Sequence, residues 1–105
     1  MKEKFQAMLD AGRDSALLRF SLGELCFKAG ELDDATVHLA EAVHQDPQYS
    51  AAWKLYGRAL VDQQQFEQAV AVLDQGIAVA EARGDNQAAR EMQVFRKRAA
   101  KQLAG

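Results

Sequence analysis

The stretch LGELCFKAGELDDATVHLAEAVHQDP, Leu22 to Pro47, holds two apolar stripes divided by one glycine. Leu18, Leu22, Leu25 and Cys26 recur at three- and four-residue steps before Gly30, and Leu32, Ala35, Leu39, Ala42 and Val43 do so after it. Such steps bring side chains onto one face of a 3.6-residue helix. Gly30 suits the left-handed conformation that closes a helix, and Pro47 disfavours helical geometry at Asp46 before it. The stretch therefore reads as helix, tight turn, helix.

The pattern continues outward. Phe66, Ala69, Val70, Leu73, Ile77 and Ala80 form a further stripe, and no segment alternates with period two. Breaks fall at Gly12, Gly30, Asp46-Pro47, the run Gln63 to Gln65, and Gly84. Six helices are predicted, about 2–11, 15–29, 32–45, 49–63, 66–82 and 86–102. The loops between them are short, so consecutive helices pack as antiparallel neighbours in an all-α domain.

Residues 16–49 laid over 50–83, an offset of 34, share three identities: Gly23 with Gly57, Ala35 with Ala69 and Leu39 with Leu73. The small residues fall mid-way along each first helix and early in each second helix, where two backbones approach closely. Bulky apolar pairs align around them, Leu22 with Tyr56, Leu32 with Phe66 and Val43 with Ile77.

On Leu22-Gly23, Gly30, Ala35, Leu39, Ala42 and Asp46-Pro47 in the first copy, and Trp53, Gly57, Phe66, Ala69, Leu73 and Gly76 in the second, the chain resembles the tetratricopeptide repeat (TPR) family. It departs from that pattern at Arg19 and Cys26, where aromatics are usual, at Gln64 in place of the turn glycine, at Gly76 in place of an alanine and at Glu81 in place of the closing proline. The resemblance implies a right-handed superhelical stack of antiparallel helix pairs in a single domain: an N-terminal half-repeat helix at 1–12, repeats at 16–49 and 50–83, and a capping helix at 85–103. Each helix pair exposes an apolar edge that a neighbour must cover. Phe5, Met8 and Leu9 suit that task at one end, and Ala88, Met92, Phe95, Ala99 and Leu103 share one face at the other, opposite Arg90, Lys97 and Lys101.

Composition narrows the function. At 105 residues there is room for one core, and 49% apolar with 27% charged residues is a globular balance. The lone Cys26 makes no internal disulfide, the N-terminus lacks the apolar stretch of a signal peptide, and no run approaches a membrane span, so a cytoplasmic protein is expected. Catalytic groups are sparse. Glu41 and His44 have a three-residue spacing suited to a metal, but the pair occurs once; His38 and His44 point about 120° apart on one helix; Cys26 sits in an apolar stripe. No enzyme activity, metal or cofactor is expected.

The resemblance instead implies a protein-interaction module in which the first helices of successive repeats line a concave groove for a peptide or partner helix. Carried over by register, the groove candidates are Leu17, Phe20, Glu24, Phe27 and Lys28 from the first repeat and Ala51, Lys54, Arg58, Val61 and Asp62 from the second. Phe20 and Phe27 would be apolar anchors and Lys54 and Arg58 orienting cations, for a ligand of mixed apolar and acidic character. Family members that clamp a C-terminal carboxylate use lysine and asparagine where this chain has Phe20, Glu24 and Leu55, which excludes that mode.

Charge supplies the alternatives. Residues 1–84 carry net −5 and residues 85–105 net +3. Arg96-Lys97-Arg98 with Arg90 and Lys101 would suit a nucleic-acid or acidic-partner adaptor, but no aromatic interleaves them and the first repeat, at net −4, repels phosphate. The same asymmetry would allow a self-assembling scaffold, cap against acidic repeat. The expected partner is thus another protein or peptide, with no nucleic-acid or membrane role and a monomer or weak homo-oligomer.

Overall fold

Four of the five chain reversals close with one hydrogen-bond pattern. In the computed structural model, which describes residues 1–105, six helices follow one another without a strand: α1 (Lys2–Asp10), α2 (Ala16–Lys28), α3 (Leu32–Gln45), α4 (Ser50–Asp62), α5 (Phe66–Ala82) and α6 (Asn86–Ala104). After α2, the N–H of Gly30 donates to the carbonyl of Phe27 at 3.0 Å and that of Glu31 to Cys26 at 2.9 Å. After α4, Gln64 donates to Val61 and Gln65 to Leu60, both at 2.9 Å. The same paired bonds follow α1 and α5, and each satisfies carbonyls that the helix end leaves without partners. The turn requires a left-handed residue. Gly12, Gly30 and Gly84 supply it, and at the second repeat Gln64 does so with φ of 61°, keeping the turn tight without glycine.

The remaining reversal, between α3 and α4, is built on Asp46-Pro47: the Gln48 N–H donates to the Asp46 carboxylate at 3.0 Å, and Tyr49 to the Asp46 carbonyl at 3.1 Å. The Trp53 indole N–H then donates to the Pro47 carbonyl at 2.8 Å, fixing a large core ring against the turn. Ser15 caps α2 through the Leu18 N–H, and Asp85 caps α6 through the Ala88 N–H. Asp85 also accepts from the Ser50 hydroxyl at 2.9 Å, tying the first turns of α4 and α6 together.

Each helix packs on the next, and α2 meets α4 as α4 meets α6. Thus α2, α4 and α6 form one layer and α3 and α5 the other, with α1 closing the end against α2 alone. Leu22, Leu39, Leu73 and Met92 are fully buried between the layers. Gly76 lets Met92 and Trp53 approach: a Cβ there would stand 2.6 Å from the Met92 sulfur and 2.7 Å from the Trp53 Cβ. On α6, Ala88, Met92 and Ala99 are buried and Phe95 is half-buried, but Leu103 differs from expectation and is 54% exposed. With 19 residues against 17 in α5 and 13 in α4, α6 carries its last turn past the helices that cover the rest of it.

Candidate interaction groove

The layer of α2, α4 and α6 presents a row of alternating rings and guanidinium groups. Phe27, in the last turn of α2, lies under Arg58 of α4, whose guanidinium carbon is 5.1 Å from the ring centre. The same carbon is 5.7 Å from the centre of Phe95 on α6, and Arg98 approaches that ring to 5.3 Å. Arg98 follows Phe95 by three residues, which puts both on one helix face. Both rings are half-buried and both arginines exposed. Attraction between a cation and a ring face is worth about 0.5–1 kcal/mol at an exposed site, enough to favour one arrangement of a long side chain.

At the other end of the groove Phe20 stacks on Tyr49, ring centres 5.0 Å apart and tilted by 35°. Phe20 is thereby half-buried and packs against the edge of the core. Leu17, one turn earlier, is 66% exposed. Burial pushes the Tyr49 phenol upward, and the nearby carboxylates of Asp46 and Glu24 push it the same way. Between the two ends, Lys54 is already engaged: its ammonium is 3.1 Å from the Glu91 carboxylate on α6. Of the two cations expected to orient a ligand, Arg58 is unpaired and Lys54 serves to hold α4 to α6.

The other candidates are placed as follows. Ala51, Lys28 and Asp62 are exposed, and Glu24 and Val61 half-buried. Val61 and Asp62 line a hollow where α4 ends and α5 begins, together with Phe66, Arg98 and Lys101. Phe95, Arg98, Glu91 and Tyr49, which were not among the sequence-derived residues, are brought into this row by contact: Phe95 and Arg98 beside Arg58, Glu91 on Lys54 and Tyr49 on Phe20. For Phe95 the signal is the repeat offset itself, since it follows Val61 by 34 residues as Val61 follows Phe27, and for Glu91 and Arg98 it lies in helix length. Lys54 and Glu91 are 37 residues apart, three more than the repeat offset, and α5 is 17 residues long against 14 in α3.

Away from the groove, the chemistry is that of fastening. The Asp14 carboxylate accepts from Arg19 at 2.9 and 3.0 Å and from Gln45 at 3.0 Å, and these bonds, with Arg19 first, lower it to about 2. Arg19 also lies 3.3 Å from the His38 Nδ1; burial first, and the Arg19 charge next, push His38 downward and favour its neutral form. Burial pushes the Cys26 thiol upward, away from the reactive thiolate. No three histidine, cysteine or acidic side chains converge as a metal site would require.

A family model described as tetratricopeptide repeat matches residues 27–92. The TPR repeat-containing protein PA0015 of Pseudomonas aeruginosa is 45% identical over 95 residues, spanning 90% of each chain. Among solved structures, protein BPP2914 from Bordetella parapertussis is 40% identical, with a TM-score of 0.82 over 99% of this chain and 90% of that one. The TPR2B domain of yeast Sti1, solved as a complex with pHsp70, superposes with a TM-score of 0.87 over 96% of this chain and 81% of that one. At 17% identity, that likeness is one of fold alone.

Proposed function

This chain belongs to the tetratricopeptide repeat family, and on that premise we propose that it is a non-enzymatic protein-interaction module whose α2–α4–α6 face holds a peptide or a helix of a partner protein. The observation that carries the reading is the exposed row of Phe27, Arg58, Phe95 and Arg98, two unpaired cations standing on half-buried rings in the groove. Surfaces of this composition, aromatic and arginine together, dominate the energetics of protein interfaces. On the same reading α1 is the second helix of an incomplete unit, 16–49 and 50–83 are two repeats, and α6 is a solvated cap.

The yeast TPR2B domain, found with pHsp70, lends support at the level of fold. With Phe20, Glu24 and Leu55 at the positions of clamp donors, a C-terminal carboxylate is not the proposed ligand. The basic helix is read as a cap because Arg96 is paired with Asp74 at 2.5 Å and Arg98 and Lys101 face the hollow beside Val61, leaving Arg90 and Lys97 as a dispersed wet face. No helix is long and apolar enough to cross a membrane, and a cytoplasmic setting is proposed. Affinity capture with the purified chain, an Arg58→Glu variant and a Lys4→Glu control, Lys4 being exposed on α1, tests the reading. Partners held by the native chain and the control but lost from Arg58→Glu, at unchanged melting temperature, support it. Equal capture by all three overturns the groove as the binding face.

A further inference from the structure

Arg58 and Arg98 have their guanidinium faces on rings and enter none of the chain's ion pairs. The carboxylates of Glu31, Asp14, Glu91 and Asp74 are taken instead by Lys2, Arg19, Lys54 and Arg96. A guanidinium resting on a ring keeps its N–H donors free at its edge, in the planar fork that matches a carboxylate. The ring contact also limits side-chain freedom before any ligand arrives, which lowers the ordering cost of binding.

The geometry points to a receptor for paired side-chain carboxylates: Arg58 and Arg98 each take one acidic side chain of an extended partner segment, while half-buried Phe27 and Val61 receive apolar residues beside them. This rests on the groove reading above and names its ligand class. Spacing permits it, because the guanidinium carbons lie 5.7 Å and 5.3 Å from one ring centre, that of Phe95, and so stand at most about 11 Å apart. Residues two apart in an extended strand share a face at about 6.5–7 Å, a separation within that limit. Charge agrees as well. Lys101 lines the hollow beside Arg98, and Asp62, the acidic residue there, pairs with neither. The fork, rather than the charge, carries the recognition, so lysine is a poor substitute at either position.

Fluorescence anisotropy with two dye-labelled dodecapeptide pools tests this on the full chain. One pool carries two glutamates two residues apart among leucine and valine; the other has glutamine in their place. The native chain should bind the glutamate pool about tenfold or more tightly over the glutamine pool. Arg58→Lys and Arg98→Lys should each remove most of that preference at unchanged melting temperature, and Lys4→Gln, on α1, should leave it intact. Equal binding of both pools overturns the carboxylate assignment while leaving the groove reading in place. Full preference retained by the lysine variants overturns the role of the fork. Absence of binding to either pool overturns the proposal.

Discussion

Gly57 on α4 lies directly against Leu73 on α5: a Cβ built at Gly57 would stand 2.5 Å from the Leu73 Cγ. Gly23 meets Leu39 in the same way at 2.6 Å. Both pairs span the two helices of one repeat, and both leucines are fully buried. The close crossing depends on the missing side chain and holds the two layers at one separation.

Gly57→Ala therefore sets two effects against each other. Alanine favours the helix by about 0.8–1 kcal/mol, whereas overpacking a tight core costs about 1–3 kcal/mol. We expect a net loss in urea denaturation. In a Leu73→Ala background, where the obstructing branch is gone, the same change should become neutral or stabilising. Destabilisation of equal size in both backgrounds would place the cause outside this contact.

Gln64→Gly should raise stability by about 0.5–1 kcal/mol, because it relieves a side chain held at φ of 61° on an exposed turn. Gly30, at the matching turn of the first repeat, has φ of 77°. A lowered urea midpoint would mean that the Gln64 side chain contributes more than its backbone costs.

Asp14 gives the fold an acid-sensitive fastening. Its folded pKa, about 2, lies below the ordinary value of about 3.9, so its contribution is fully present above pH ~4 and is lost as pH falls toward 2. Asp14→Asn should therefore be the less stable protein near neutrality, and the gap in denaturation midpoint should close between about pH 4 and pH 2. Asp14 is more than a third exposed, so solvent screening keeps the gap small. A gap that stays constant across this range would assign the effect to something other than the carboxylate charge.

Phe20→Ala should cost about 1–3 kcal/mol, below the 3–5 kcal/mol of a fully buried phenylalanine, since the ring rests on Tyr49 and is only half-buried. Thermal melts measure it. A cost near zero would make Phe20 a free anchor, and a cost at the upper limit would make it core.

Helix number, helix ends and the close-packed glycines were legible because each depends on neighbours within a few residues or on a repeated pattern. The stripe Leu32, Ala35, Leu39, Ala42 and Val43 announces α3, of which Ala35, Leu39, Ala42 and Val43 are buried. The groove candidates on the first two helices follow from the 34-residue offset, which carries register from one repeat to the next. That register was not carried on to α6, which was read only as a cap: Phe95 keeps the 34-residue offset to Val61 and Phe27, whereas Glu91 and Arg98 fall on Gly57 and Gln64 at that offset, because α5 is three residues longer than α3.

Sequence alone determined the six amphipathic helices, the turns at Gly12, Gly30 and Gly84 and the repeated glycine–leucine crossings, because backbone hydrogen bonds and apolar period act within four residues or within one helix pair. Only the tertiary structure decided that Lys54 spends its charge on Glu91, that Tyr49 covers Phe20, and that Arg58 stands between Phe27 and Phe95. These contacts join different helix pairs, and a side chain's partner there follows from the rotation and offset of one pair on the next, which the packing of buried residues sets and local periodicity does not encode.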